Sequence, residues 1–221
     1  MKFTWWKIAA VILVGYSVIV GFLGDVPRLA ILNETIRNLY FHVPMWFAMI
    51  IILLISVIGS IKYLANEDPK NDYLAVESVN VGVVFGILGL ATGMVWAKFT
   101  WGEYWSNDPK QNASAIAMLL YLAYLVLRNS IDEEQKRAKI SAVFNVFAFP
   151  IFICLIFILP RMTDSLHPGN GGNPGFSGYD LDSRMRMVFY PAVLGWILIG
   201  YWIVNLRTRV RLIESQEFID K

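Results

Sequence analysis

The sequence predicts an all-α membrane protein with about six transmembrane helices and both termini cytoplasmic. Three observations carry that expectation. Charged residues make up only 16% of the 221-residue chain and hydrophobic residues 57%, whereas a soluble domain has about a quarter charged. The apolar residues gather into six runs, each close to the ~20 residues that cross a bilayer core. Lys and Arg are unevenly shared between the two sets of connecting segments. The whole of 1–221 reads as a single polytopic membrane domain, with no soluble domain, internal repeat or low-complexity tract.

The first helix is expected at roughly 6–24. Lys2 and Lys7 ahead of the apolar run 8–23 imitate a signal peptide. Gly24-Asp25-Val26-Pro27 is a poor small-residue cleavage site, so the helix is expected to be retained. The others are expected at about 43–64, 79–98, 112–128, 140–160 and 187–206. The fourth is the shortest and the most polar at its start. There Asp108-Pro109-Lys110-Gln111 reads as a capping box: an N-cap, a proline at the first helical position and a glutamine at the third. No segment alternates as a strand, and helices satisfy their own backbone in lipid.

Placing the N-terminus inside puts Lys2, Lys7, Lys62, Lys70, Arg128, Lys136, Arg137, Lys139, Arg207, Arg209, Arg211 and Lys221 on the cytoplasmic side. Arg28, Arg37, Lys98, Lys110, Arg161, Arg184 and Arg186 fall outside. The excess of basic residues belongs on the inner side. The outer loops, at about 25–42, 99–111 and 161–186, then hold both histidines and the densest group of tryptophans.

Composition excludes several classes. A net charge of +2 leaves no nucleic-acid footprint. The single cysteine, Cys154, allows neither an internal disulfide nor a CxxC site, and is expected as a small buried hydrophobe. There is no CxxCH, so the chain is not itself a c-type cytochrome. No nucleotide-binding loop is present, so any use of ATP has to be borrowed.

The chemistry is expected in the tryptophan-rich stretch at about 96–109. Trp96, Phe99, Trp101, Tyr104 and Trp105 fall within ten residues at a membrane exit. An interfacial aromatic belt is the plain alternative, but belts are usually sparse. Gly102 lets a backbone approach something closely. Asp108 reads as the N-cap of the fourth helix rather than as a direct ligand. His42 stands at the outward start of the second helix and His167 in the last outer loop, where a lone histidine is ordinarily just a polar residue.

Together these residues suit a haem. Two neutral imidazoles fill both axial positions of a haem iron, aromatic rings suit the macrocycle faces, and Arg37, Arg184 or Arg186 can pair with the propionates. A structural zinc site wants four Cys or His ligands, and only two histidines exist. The run from His167 to Gly178, rich in Gly and Pro, is either a plain linker or, if His167 is a ligand, a lid.

The motifs resemble those of the haem-handling membrane proteins of cytochrome c maturation, the tryptophan-rich-motif family that includes CcmC, CcmF and CcsA, and in particular its six-helix CcmC branch. The family pattern W-G-x-x-W-x-W-D appears as Trp101-Gly102-Glu103-Tyr104-Trp105-Ser106-Asn107-Asp108, led in by Thr92-Gly93-Met94-Val95-Trp96. Tyr40-Phe41-His42-Val43-Pro44, with Arg37 upstream, matches a second motif, and Leu166-His167 a third. The matches run in order over nearly the whole chain. Asn107 stands where the family has its last tryptophan, and Asn112 where it often has threonine.

The resemblance implies a haem-transfer protein, not an enzyme, in the bacterial inner membrane. Haem b would be held on the periplasmic side by His42 and His167, against Trp96, Trp101, Gly102, Tyr104, Trp105 and Asp108, with Arg37, Arg184 and Arg186 on the propionates. Haem would pass to a CcmE-like periplasmic chaperone. CcmA- and CcmB-like ABC transporter subunits would drive release, and a small CcmD-like subunit would accompany them. A larger haem lyase is the nearest rival, but it would carry more helices and intramembrane histidines. A membrane b-type cytochrome or a permease subunit are the others.

Overall fold

The computed structural model describes residues 5–29, 32–167 and 181–219. Six long helices follow one another: α1 Trp5–Leu23, α2 Leu39–Asn66, α3 Pro69–Trp101, α4 Pro109–Asn129, α5 Glu134–Ile153 and α6 Ser183–Ile219. A 3₁₀ turn, Asn33–Asn38, leads into α2. Among the described residues there is no strand, and all six helices are long and apolar enough to cross a membrane. Their outward faces are apolar, as with Ile12 and Ile19 on α1, Val84 and Ile87 on α3, Leu119 and Val126 on α4 and Phe147 on α5. An apolar surface that extensive is a lipid-facing surface.

The helices overrun the apolar runs that announce them. α3 starts at Pro69, ten residues before the run at 79, because Asp68 caps it and accepts from the Lys70 N–H at 2.9 Å. Its polar first turns are then buried as ion pairs. Asp72 is held bidentately by Arg128 of α4, and Glu77 by Arg207 and Arg211 of α6. The start and end of the chain meet, since Trp6 of α1 lies 6.2 Å edge-on to Trp202 of α6.

The closest helix pair is α2 with α3, and glycines make it close. A Cβ on Gly82 would come within 2.9 Å of Leu53, on Gly86 within 2.8 Å of Met49, on Gly89 within 2.9 Å of Trp46 and on Gly93 within 2.6 Å of His42. Small residues let helix backbones approach where lipid supplies no hydrophobic drive. The same stripe therefore fixes the register that places His42.

α5 does not end cleanly. Pro150 removes one backbone donor. The helix then widens into a π turn, Cys154–Ile158, closed by the Leu159 N–H on Cys154 O, and a 3₁₀ turn, Leu159–Arg161. Cys154 is exposed, not buried as expected, because it shares the outward side of this helix with Ile151 and Ile158.

Candidate functional site

His42 lies in the first turns of α2, on the helix rather than in the loop before it, and is half-buried. Its Nδ1 is 2.9 Å from Gly89 O and 3.3 Å from Thr92 Oγ1. A carbonyl only accepts, so the neutral ring carries its proton on Nδ1 and its lone pair on Nε2. Thr92 is held in turn, donating to Leu88 O at 2.7 Å, while its own carbonyl accepts from Asn38 at 2.9 Å.

His167 is oriented by a carboxylate. Asp108 is the N-cap of α4 and accepts from Lys110 N at 2.9 Å and Gln111 N at 3.4 Å. The same carboxylate accepts from Ser165 Oγ at 2.9 Å, Leu166 N at 2.7 Å and His167 Nδ1 at 2.9 Å. One residue thus starts α4 and pins the segment that ends in His167. The Gln111 side chain does not close the expected capping box. Its Oε1 accepts instead from Ser106 N at 2.9 Å and Ser106 Oγ at 3.0 Å.

The electrostatics follow from burial and these bonds. Burial opposes the charge of Asp108, but the His167 and Leu166 N–H groups and the Ser165 hydroxyl outweigh it and hold the carboxyl below the usual carboxylate range. Burial pushes His167 below the ordinary histidine value, and Lys110 adds to that, against the pull of Asp108. The arrangement is an ionised Asp108 accepting from a neutral His167, whose Nε2 keeps its lone pair.

The two histidines line one cavity of about 200 Å³. Its walls are Trp46 and Phe47 of α2, Leu90 and Trp96 of α3, and Phe157 from the π turn of α5, with Trp105 from the loop. Trp96 stands edge-on to His42 at 6.0 Å, and Trp101 edge-on to His167 at 4.7 Å. The indole N–H groups are turned to protein partners, Trp96 to Thr35 Oγ1 at 3.2 Å and Trp105 to Asn112 Oδ1 at 3.1 Å. Among the described residues no three His, Cys, Asp or Glu side chains form a metal cage.

Other expected residues lie elsewhere. Arg37 donates to the carbonyls of Gly21 and Gly24 at the end of α1 and pairs with Glu34 at 2.7 Å. Arg184 is exposed, 3.6 Å from Asp182, and Arg186 donates to Leu181 O at 2.9 Å. None of the three lines the cavity. Tyr104 is exposed, with the Lys98 ammonium 5.7 Å from its ring. Trp96 and Trp101 belong to the last turns of α3, so only 102–108 is loop. Gly102 ends that helix at φ +88° with nothing near its missing Cβ. It is needed for the left-handed turn, not for a close approach. The close approach falls to Gly89 and Gly93. The expected lid, 168–178, lies outside the described residues apart from His167.

Two cations that line the cavity were missed by sequence reasoning: Lys110, one residue inside α4, and Arg161, at the end of the α5 extension. Arg161 donates to Phe157 O at 3.0 Å. The Asp-Pro-Lys start of α4 was a signal for Lys110. Nothing in the sequence announces the π turn that aims Phe157 and Arg161.

The chain matches the model of a family described as Heme exporter protein C over residues 1–219. It is 25% identical to Heme exporter protein C of Rhodobacter capsulatus over 216 residues, 93% of this chain and 86% of that protein. It is 23% identical to the protein of the same description from Paracoccus denitrificans over 180 residues, 81% of this chain and 74% of that one. Cytochrome c biogenesis protein CcsA of Prochlorococcus marinus is 38% identical over 101 residues, 46% of this chain and 31% of that longer protein.

Proposed function

The chain belongs to the Heme exporter protein C family, and from that premise we propose that it binds haem b on the periplasmic side of a bacterial inner membrane and hands it to a periplasmic haem chaperone during c-type cytochrome biogenesis. Haem is cargo, and the protein is a transfer platform rather than an enzyme. The receiving chaperone is CcmE-like. CcmA- and CcmB-like ABC subunits drive release of the loaded chaperone, and a small CcmD-like subunit accompanies them.

One observation carries this reading. The two histidines line a single aromatic cavity, each with Nδ1 already hydrogen-bonded, one to a backbone carbonyl and one to a carboxylate. Metal-binding histidines are oriented in these two ways. His42 and His167 supply axial ligands through Nε2, while the bound iron completes its coordination with both. Trp96, Trp101 and Trp105 exclude water and fix the imidazole planes. Lys110 and Arg161 are better placed for the propionates than Arg37, Arg184 or Arg186. The cavity is smaller than the roughly 300–1,000 Å³ of a cofactor pocket. Loading therefore requires an outward movement, and the short segment 162–167, held by Asp108, is the element to move.

The test is the absorbance spectrum of protein purified in mild detergent, oxidised and reduced. Wild type is expected to show a Soret band and low-spin bis-histidine features, which His42→Ala and His167→Ala disturb. Wild type that stays haem-free when produced with ample haem, or variants that match it, would sink the assignment.

A further inference from the structure

The end of the bundle away from the histidines holds a second, polar cavity of about 540 Å³. It lies where α3 begins, α4 ends, α5 begins and α6 passes. Six polar side chains line it: Asn80, Arg128, Asn129, Asp132, Arg137 and Arg211.

The charges around it are unequally committed. Arg128 spends both terminal nitrogens on Asp72, and Arg211 turns its Nε to Glu77, which Arg207 also contacts. Arg137 is half-buried in the first turn of α5, and its side chain has no hydrogen-bond or ion-pair partner among the described residues. A guanidinium drawn partly out of water with no acceptor loses hydration without replacement. Arg128 and Arg211 still have N–H groups beyond those spent on the carboxylates behind them. The one carboxylate in the lining, Asp132, is exposed at the rim.

Three guanidiniums converging on a cavity match a tetrahedral oxyanion, which accepts several N–H donors at once. The surroundings narrow the source. Arg128 is in the last turn of its spanning helix and Arg137 in the first turn of the next, so the cavity sits at headgroup depth. Val76, Leu125 and Ile131 give it an apolar wall that a free anion would not use. We propose that this cavity binds a phosphate group, that of an anionic phospholipid headgroup. Basic pockets between the ends of membrane helices bind such lipids.

The test uses the full chain in an uncharged detergent and reads the melting temperature. The protein is melted with phosphatidylglycerol, with phosphatidylcholine, and with sodium phosphate against sodium chloride of equal ionic strength. Phosphatidylglycerol at ten times its dissociation constant is expected to raise Tm by roughly 4 °C, and phosphatidylcholine not to. Arg137→Gln removes most of that rise, and Asp132→Asn enlarges it. An equal, Arg137-dependent rise from inorganic phosphate would overturn the lipid and leave a free-phosphate site. Equal rises from both lipids, a rise unaltered by Arg137→Gln, or no rise in any arm would overturn the site itself. These outcomes are independent of haem, because none of the lining residues touches the histidine cavity.

Discussion

Asp108 and His167 are joined by a 2.9 Å hydrogen bond between Oδ1 and Nδ1, across fifty-nine residues of chain. The carboxylate is 4% exposed, and it also caps α4 and holds Leu166 and Ser165. Folding of α4 and orientation of the imidazole are thus one event. Asp108→Asn separates them. Asparagine is as good an N-cap as aspartate, so α4 and the melting temperature are expected to survive. Its amide N–H₂, however, cannot accept from Leu166 N and Ser165 while its oxygen serves His167. Loss of a carboxylate behind a metal-binding histidine costs about 10- to 100-fold in affinity. A haem titration followed at the Soret band reads this, and an unchanged affinity would count against it.

The same pair sets a pH dependence. His167 is held below its ordinary value, so between that lowered value and about 6.5 the unfolded chain binds a proton that the folded chain does not. The contribution is fully present above about 6.5 and is lost as pH falls through the lowered value. Asp108, also lowered, loses its contribution only below the usual carboxylate range. Acidification is therefore expected to loosen the 165–167 segment in two steps, the histidine first. An NMR titration of the imidazole, assigned with His42→Gln, should place His167 below 6.5. A value at or above it would contradict the arrangement.

The six helices were legible because each has to offer lipid an apolar run whatever its neighbours do. Their ends were not. The first turns of α3 contain Asp72 and Glu77, which look like loop residues until Arg128, Arg207 and Arg211 arrive from other helices. The histidines and tryptophans were legible as residue types on one side of the membrane. Which cations line the cavity was not, since this depends on helix register and on the widened turn after Pro150. Arg37 shows the limit. It was expected on the cargo, and its guanidinium lies instead on the Gly21 and Gly24 carbonyls.

Two glycines should give opposite results. A methyl group on Gly93 would lie 2.6 Å from His42 Cε1, so Gly93→Ala must swing the imidazole off Gly89 O. The expected result is loss of the bis-histidine spectrum, with a stability cost of about 1–3 kcal/mol for overpacking. Gly102→Ala meets no atom but must hold φ +88°, which costs roughly 1–2 kcal/mol and is expected to leave the spectrum intact. Spectra and melting curves of the two variants separate these effects, and matching behaviour would refute the assignment.

Trp101 lies edge-on to His167 with ring centroids 4.7 Å apart. Such a contact contributes about 0.5–1.5 kcal/mol beyond area burial, which is roughly 2- to 10-fold in affinity. Trp101→Leu keeps the bulk and removes the contact. Haem occupancy is expected to fall within that range while the oxidised spectrum keeps its low-spin form. A high-spin spectrum would mean that the ligand itself had been lost and the role of Trp101 misjudged.

Asn107 replaces the last tryptophan of the family pattern, and its backbone shows what a tryptophan would meet there. The residue stands at φ +57°, in the left-handed region, and its carbonyl accepts from Asn112 Nδ2 at 3.2 Å. Asparagine tolerates this conformation, whereas a bulky side chain is disfavoured by roughly 1–2 kcal/mol. Asn112 meanwhile takes the Trp105 indole N–H at 3.1 Å, so Asn107 and Asn112 act together to hold Trp105 against the cavity. Asn107→Trp is therefore expected to lower the melting temperature by roughly 2–6 °C and to leave haem occupancy no higher than wild type, whereas Asn107→Gly leaves both near wild type. If Asn107→Trp instead raised occupancy without loss of stability, this loop would be free to adopt another turn, and the aromatic face that asparagine replaces would belong to the site after all.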